Sequence, residues 1–300
     1  MNTRARALAA VASLAVALAT AQVVEAAAGA RLRVMTFNIR YDFETDGPNR
    51  WQHRVAAVAQ VIRGSGAAVI GLQEDKGEQI DDLRPLLPGY ELLGRGRNAT
   101  GSGERCSIAV KAADVRVRES GSFWLSDTPE EPGSNTWGDK YPRVVTWALL
   151  EPKKSKVKLC VLNAHLPEGN DGRAQDLRRR GAAVMHAWIR ARLRGKEKEK
   201  LAFVLLGDYN SQPDEEVRKA LLGDDGAALP LRDAYDEARP KERWPGTVNN
   251  EFSGATNNSR IDWILLAGPI RALAYQKVDE QVEGRWPSDH YPVFADLELR

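Results

Sequence analysis

The sequence predicts an α/β fold in one compact domain, and three observations carry that prediction. Apolar runs of strand length recur from Leu32 to Leu297. Stretches with helical apolar spacing separate several of them. Neither an internal repeat nor a Pro/Gly/Ser-rich linker divides the chain, so the elements must share one core. The composition, 43% hydrophobic and 28% charged over 300 residues, supplies that core and points away from disorder.

In chain order, Arg4 and Arg6 precede an uncharged run from Ala7 to Val24, and Val24-Glu25-Ala26 offers a small-residue cleavage site. This is the layout of a secretory signal peptide, expected over residues 1–26. Ala is the commonest residue of the run and makes a poor spanning helix, and no later segment is long and apolar enough to cross a bilayer. Residues 31–300 are therefore expected to form the mature domain, secreted or periplasmic and not inserted in a membrane; a monomer is expected.

Leu32 to Ile39 reads as a strand, and Trp51 to Ile62 as a helix with Val55, Val58 and Ile62 on one side. Ala68 to Leu72 is a buried strand, followed by a polar helix over Gly77 to Leu87. Tyr90 to Leu93, Cys106 to Lys111 and Val115 to Trp124 read as strands, and Ser126 to Tyr141 as a long loop rich in turn formers. Val144 to Glu151 and Lys156 to His165 form a hairpin around Pro152-Lys153-Lys154-Ser155. Gln175 to Leu193 reads as a helix ending at Gly195, and Leu201 to Leu206, Ile261 to Leu266 and Val293 to Leu297 complete the strands.

Bulk charge narrows the function classes. A net charge of +2 is too small to be a nucleic-acid footprint by itself, although a local basic groove remains compatible with it. The only cysteines, Cys106 and Cys160, sit in expected strands and have no metal-site spacing. Export permits a disulfide between them, but lone buried thiols are the expectation. The Lys196 to Lys200 charge run is a solvated turn.

The chemistry gathers at strand ends. Leu32-Arg-Val-Met-Thr-Phe-Asn38 ends in an amide, Val69-Ile-Gly-Leu-Gln-Glu74 in a carboxylate, and Val161-Leu-Asn-Ala-His165 in an imidazole. Val204-Leu-Leu-Gly-Asp208-Tyr-Asn210 supplies a carboxylate and an amide. Asp262 opens the next strand, and Ser288-Asp289-His290 runs into the last one. Any one fragment could be a solvated or capping group. Together they hold what phosphoester hydrolysis needs: hard oxygen ligands for Mg²⁺ or Mn²⁺, a carboxylate to activate water, and imidazoles for phosphoryl oxygens. Two cysteines and four histidines argue against a zinc site.

These six fragments, in this order, resemble the endonuclease/exonuclease/phosphatase superfamily, which includes deoxyribonuclease I, exonuclease III and neutral sphingomyelinases. The resemblance spans Leu32 to Leu297 and implies a four-layer αββα sandwich of two packed mixed sheets with the active site at one end. It also implies roles: Glu74 as principal metal ligand with Asn38 beside it, and Asp289 near a second metal position. Asp208 would activate water, Asn210 would hold water or phosphate, and Asp262 would orient His290 as the charge stabiliser. Gly103-Glu104-Arg105 resembles a segment whose Glu pairs with the His of the Asn-x-His motif, so a Glu104–His165 pair is expected. Arg143 aligns with an Arg that contacts substrate phosphate.

The sequence also departs from the family pattern. Many members read Asn-Thr-His-Leu-Asp-His where this chain has Asn163-Ala164-His165-Leu166-Pro167-Glu168. Asn38-Ile-Arg-Tyr-Asp42, then Gly47, Trp51 and Arg54, and Phe123-Trp-Leu-Ser-Asp-Thr-Pro129 through Trp137 resemble a group of exported bacterial members. Trp124 reads as core and Trp137 as an aromatic wall, while His53 and His186 read as structural. The implied activity is metal-dependent hydrolysis, with nucleic acid or nucleotides ranked ahead of phospholipid or sugar-phosphate headgroups.

Overall fold

In the computed structural model the described residues are 29–194, 200–223, 229–241, 243, 246–256 and 258–300. The expected signal peptide and most of the Lys196 to Lys200 run lie outside them. Arg31–Arg300 form one compact unit, and among the described residues no helix is long and apolar enough to cross a membrane.

Two six-stranded sheets make up this unit. The first runs in the order β11 (Ile270–Lys277), β12 (Val293–Leu299), β1 (Ala30–Asn38), β2 (Val69–Gln73), β4 (Ile108–Lys111), β3 (Tyr90–Leu93). The second runs β5 (Val115–Trp124), β6 (Val144–Pro152), β7 (Lys158–His165), β8 (Leu201–Asp208), β10 (Asp262–Ala267), β9 (Arg232–Asp233). Each sheet has a parallel pair at its centre, β1 with β2 and β7 with β8. Helix α1 (Trp51–Ser65) connects the first pair and α3 (Gly172–Leu193) the second, as a parallel connection requires. The remaining helices are α2 (Gly77–Leu86), α4 (Glu216–Leu222) and α5 (Ala234–Glu237).

The two-residue period of a strand sorts side chains into two faces. Met35 and Phe37 of β1 and Ile70 and Leu72 of β2 pack with Val58, Ile62, Ile80 and Leu83 of α1 and α2. Leu162 of β7, Phe203 and Leu205 of β8, and Trp263 of β10 pack with Met185 and Ile189 of α3. The opposite parity of every one of these strands faces the other sheet. It comprises Thr36 and Asn38, Gly71 and Gln73, Asn163 and His165, Leu206 and Asp208, and Asp262.

The sheets meet closely at Gly71, where an added Cβ would lie 2.7 Å from Asn163 Oδ1 and 2.8 Å from Leu206 Cβ. A buried amide network closes the seam. Gln73 Nε2 donates to Thr36 Oγ1 at 3.0 Å and to Asn163 Oδ1 at 2.6 Å, and Asn163 Nδ2 donates across to the carbonyls of Leu72 (2.7 Å) and Ser107 (2.8 Å).

The four-layer expectation holds, with most element boundaries within a few residues. Strand β11, helices α4 and α5 and the two-residue β9 are not legible in the sequence. Ile-Arg-Ala-Leu-Ala-Tyr-Gln-Lys loses its alternation at a bulge between Ala272 and Ala274, and the others are too short to show a period. Cys106 and Cys160 are buried and are not joined in a disulfide.

Substituting Gly71→Ala should destabilise the protein by about 1–3 kcal/mol, because the added methyl meets two buried side chains that have nowhere to go. Chemical denaturation monitored by Trp fluorescence measures this; an unchanged midpoint would mean a looser seam.

Candidate active site

Parallel neighbours end on the same side of a sheet, so β1, β2, β7 and β8 deliver Asn38, Glu74, His165 and Asp208 to one rim. Register completes the set: His165 is paired with Asp208, and Asp262 opens antiparallel β10 opposite Asp208. Three rim residues have left-handed backbone despite carrying side chains: Glu74 (φ 61°), Asn210 (φ 49°) and Arg40 (φ 55°). Such backbone persists where surrounding structure holds it, and it aims these side chains at the site.

Asn38 Nδ2 donates to Glu74 Oε1 (2.9 Å) and Asp208 Oδ2 (3.0 Å), bridging the two sheets at their ends. Burial and the neighbouring Asp289 push the Glu74 carboxyl up to about 7. Burial and Asp262 push Asp208 up to about 6. Two carboxylates raised in this way form a cluster short of positive charge.

The two site histidines take opposite states. His165 accepts from Asn210 Nδ2 at its Nε2 (3.0 Å), which places its proton on Nδ1. Burial, with Arg143, His290 and Arg97 adding repulsion, holds it well below the usual imidazole range, so it is neutral. His290 is equally buried, but Asp262 Oδ2 lies 2.9 Å from its Nδ1, and Asp208 and Asp289 add to the attraction. These charges overcome the burial cost and raise His290 well above the usual range. It is an imidazolium whose Nε2 lies 3.8 Å from Asp208 Oδ2.

A divalent cation fits the donor set. Ligand atoms of Glu74, His165 and Asp208 lie within 4.8 Å of one another, as do those of Asp208, Asp262 and His290. One Asp262 oxygen is buried without a hydrogen-bond partner. Hard carboxylate oxygens in deficit of positive charge suit a Mg²⁺-type ion.

One expectation needs correction. Glu104 does not pair with His165; its carboxylate lies 3.0 Å from Arg97. A guanidinium carries a permanent charge, whereas the neutral His165 ring offers none. Asp289 accepts from Arg40 Nη1 at 2.9 Å, while Arg40 Nε and Nη2 hold Asp46. Asn38 meets the cluster through its NH₂, its oxygen being taken by the Arg40 backbone N–H (2.9 Å). Arg143 is buried, is fastened through Nε to Asp139 (2.9 Å), and lines the cleft beside His165.

Arg40 is visible in the Asn38-Ile-Arg-Tyr-Asp42 stretch, but nothing local gives it a role. Arg54 is equally silent in the sequence. Fully buried, it donates to the carbonyls of Ile39 (2.8 Å), Arg40 (3.0 Å), Asn49 (2.5 Å) and Pro287 (2.8 Å). It thereby fastens the loop that carries Arg40 to the one that carries Asp289 and His290. Trp124 is core, its Nε1 donating to the Arg97 carbonyl (2.7 Å). Trp137 packs against the second-sheet core and bonds Asp127 (2.8 Å), so it builds no wall at the cleft. His53 and His186 lie on helices α1 and α3, and neither lines the cleft. A larger depression of about 600 Å³ lies at the β6–β7 turn, the end of β7 remote from His165.

In ¹⁵N-edited imidazole NMR near pH 7, His290 should read as the imidazolium and His165 as neutral. Asp262→Asn should lower the His290 titration. A neutral His290 in the unaltered protein would contradict this charge assignment.

Several solved structures share this architecture. An endonuclease/exonuclease/phosphatase family protein from Bacteroides thetaiotaomicron is 26% identical with a TM-score of 0.81, covering 90% of this chain and 96% of that one. A mannosyl-6-phosphatase of the same organism is 27% identical with a TM-score of 0.80, covering 89% and 100%. D. rerio TDP2, solved with a single strand DNA product, is 16% identical at a TM-score of 0.68, covering 90% and 100%, and shows the fold alone. Among curated protein sequences none matches this chain. The Endonuclease/Exonuclease/phosphatase family profile matches residues 35–290, spanning every strand-end residue from Asn38 to His290, and the chain belongs to that family.

Proposed function

We propose that this chain is an exported, divalent-metal-dependent phosphoester hydrolase that attacks phosphorus in line with water and forms no covalent enzyme intermediate. The observation that carries this reading is the pairing of an electron-rich carboxylate pair, Glu74 and Asp208, with the His290 imidazolium on one rim. The export part rests on the leader-like residues 1–26.

Glu74 is the residue to hold a Mg²⁺ or Mn²⁺ ion, with Asn38 beside it and Asp208 and His165 within reach. Bound there, the ion supplies Lewis-acid polarisation of a phosphoryl oxygen. Asp208, with its carboxyl raised to about 6, is a stronger base than a solvated carboxylate and orients and deprotonates water. His290, kept charged by Asp262, neutralises charge building on the phosphoryl oxygens. Asn210 fixes His165, and Arg143 has a planar fork suited to phosphate.

A second substrate reading gains a specific footing. Nucleic acid and nucleotides rank first on sequence alone. The mannosyl-6-phosphatase likeness at 27% identity supports a sugar phosphate, whereas the DNA-bound relative is too distant to speak for substrate.

The mature protein with Mg²⁺ or Mn²⁺ should hydrolyse p-nitrophenyl phosphate or bis-p-nitrophenyl phosphate, and EDTA should abolish this. Turnover that survives full chelation would sink the metal-dependent reading. Asp208→Asn and His290→Ala should each lower kcat about a hundredfold or more. Losses under about tenfold at both would reassign the base and the charge stabiliser.

A further inference from the structure

Beside the rim lies a cleft of about 190 Å³, reaching from Glu74 and His165 out to Lys140 and Glu168. Its size is the first constraint. Pockets for drug-sized ligands run to ~300–1,000 Å³, so this one is the size of a single ring-sized group next to a phosphate.

Charge is the second constraint. Four cations line the cleft, Arg40, Arg97, Lys140 and Arg143, against three carboxylates, Glu74, Glu104 and Glu168. A groove that tracks a phosphodiester backbone is one-sidedly basic, because each neighbouring phosphate needs a cation. Here the outer groups alternate in sign: Arg97 faces Glu104 at 3.0 Å and Lys140 faces Glu168 at 3.9 Å. An acceptor beside a donor is the arrangement that a hydroxyl satisfies, since it donates one hydrogen bond and accepts others. Carboxylates in these places repel a second phosphate.

Apolar surface is the third. Tyr141 is the exposed large hydrophobic residue among those described, at 37% exposure, and it lies in this cleft. The Arg97 guanidinium sits 4.0 Å from its ring centroid and the Lys140 amine 5.1 Å, so the ring is braced in place. Tyr41 and Phe43, with centroids 3.9 Å apart, also line the cleft. Aromatic faces beside hydroxyl-binding ion pairs suit a ring that is apolar on its C–H face and polar at its rim.

We propose that this cleft is a polyol subsite that makes the enzyme selective for monoesters of a single hydroxylated ring, a sugar phosphate. Tyr141 is the platform, and Glu168 and Glu104 accept the hydroxyls. This rests on the hydrolase reading and adds the substrate class and its determinants. It also explains Glu168, which with Pro167 departs from the family's pattern after the Asn-x-His motif. Glu168 stands at the outer wall, where it meets the alcohol part of the ester and not the phosphorus.

The test compares kcat/KM of the mature protein on hexose phosphates, 5′-nucleoside monophosphates, a single-stranded DNA oligonucleotide and p-nitrophenyl phosphate. Hexose phosphates should exceed nucleotides and DNA by about tenfold or more, the size of one or two hydrogen bonds to a charged group. Glu168→Ala and Tyr141→Ala should each lower the hexose-phosphate to p-nitrophenyl phosphate ratio by about tenfold. A preference for nucleotides or DNA would overturn the subsite. So would hexose-phosphate turnover whose ratio neither variant moves. Failure to hydrolyse even p-nitrophenyl phosphate would instead overturn the hydrolase reading beneath it.

Discussion

The contact between the two sheets at Gly71 governs the rest of the molecule. A glycine on β2 lets the backbone come within van der Waals reach of Asn163 and Leu206 on the opposite sheet. The Asn163 amide then replaces the missing bulk with hydrogen bonds to Leu72 and Ser107. Both ends of the Asn163 amide are matched across the seam, and a buried amide is costly to leave unpaired, so these bonds hold the sheets to one spacing and register. That spacing places Glu74, from one sheet, within reach of Asp208 and His165 from the other.

Above the seam, electrostatics separates groups of the same chemical type. His165 and His290 lie in one buried site, yet one is held neutral and the other charged. The difference is a carboxylate: Asp262 stands 2.9 Å from His290, whereas His165 sees Arg143 and Arg97. Asp289 is neutralised by Arg40 and Asp262 by His290, which leaves Glu74 and Asp208 as the pair in want of positive charge. Burial makes these assignments firm, because the low-dielectric rim magnifies each neighbour's effect.

Loops finish what strands begin. Arg54 is buried and donates to four backbone carbonyls rather than to a carboxylate, and burial lowers its guanidinium to about 10. Its bonds join loops distant in sequence, and they bring the positive-φ Arg40 to Asp289. The Ser126 to Tyr141 loop behaves likewise. Trp124 before it turns inward to the core and Trp137 within it turns to Asp127, while the tyrosine at its end is what faces the cleft.

The sequence by itself determined the central strands of both sheets and the rim. Strand parity is local, so the alternation that separates Phe37 from Asn38, Leu162 from His165 and Leu205 from Asp208 already divides core from site. Polar residues where apolar strands stop can be read as chemistry for the same reason. What only the tertiary structure decided were partnerships between side chains far apart in the chain. Glu104 takes Arg97 rather than His165, Arg40 takes Asp289, and Tyr141 rather than Trp137 flanks the cleft. A charged or aromatic side chain on a loop carries no period, and its partner is chosen by distance and dielectric after the sheets have closed.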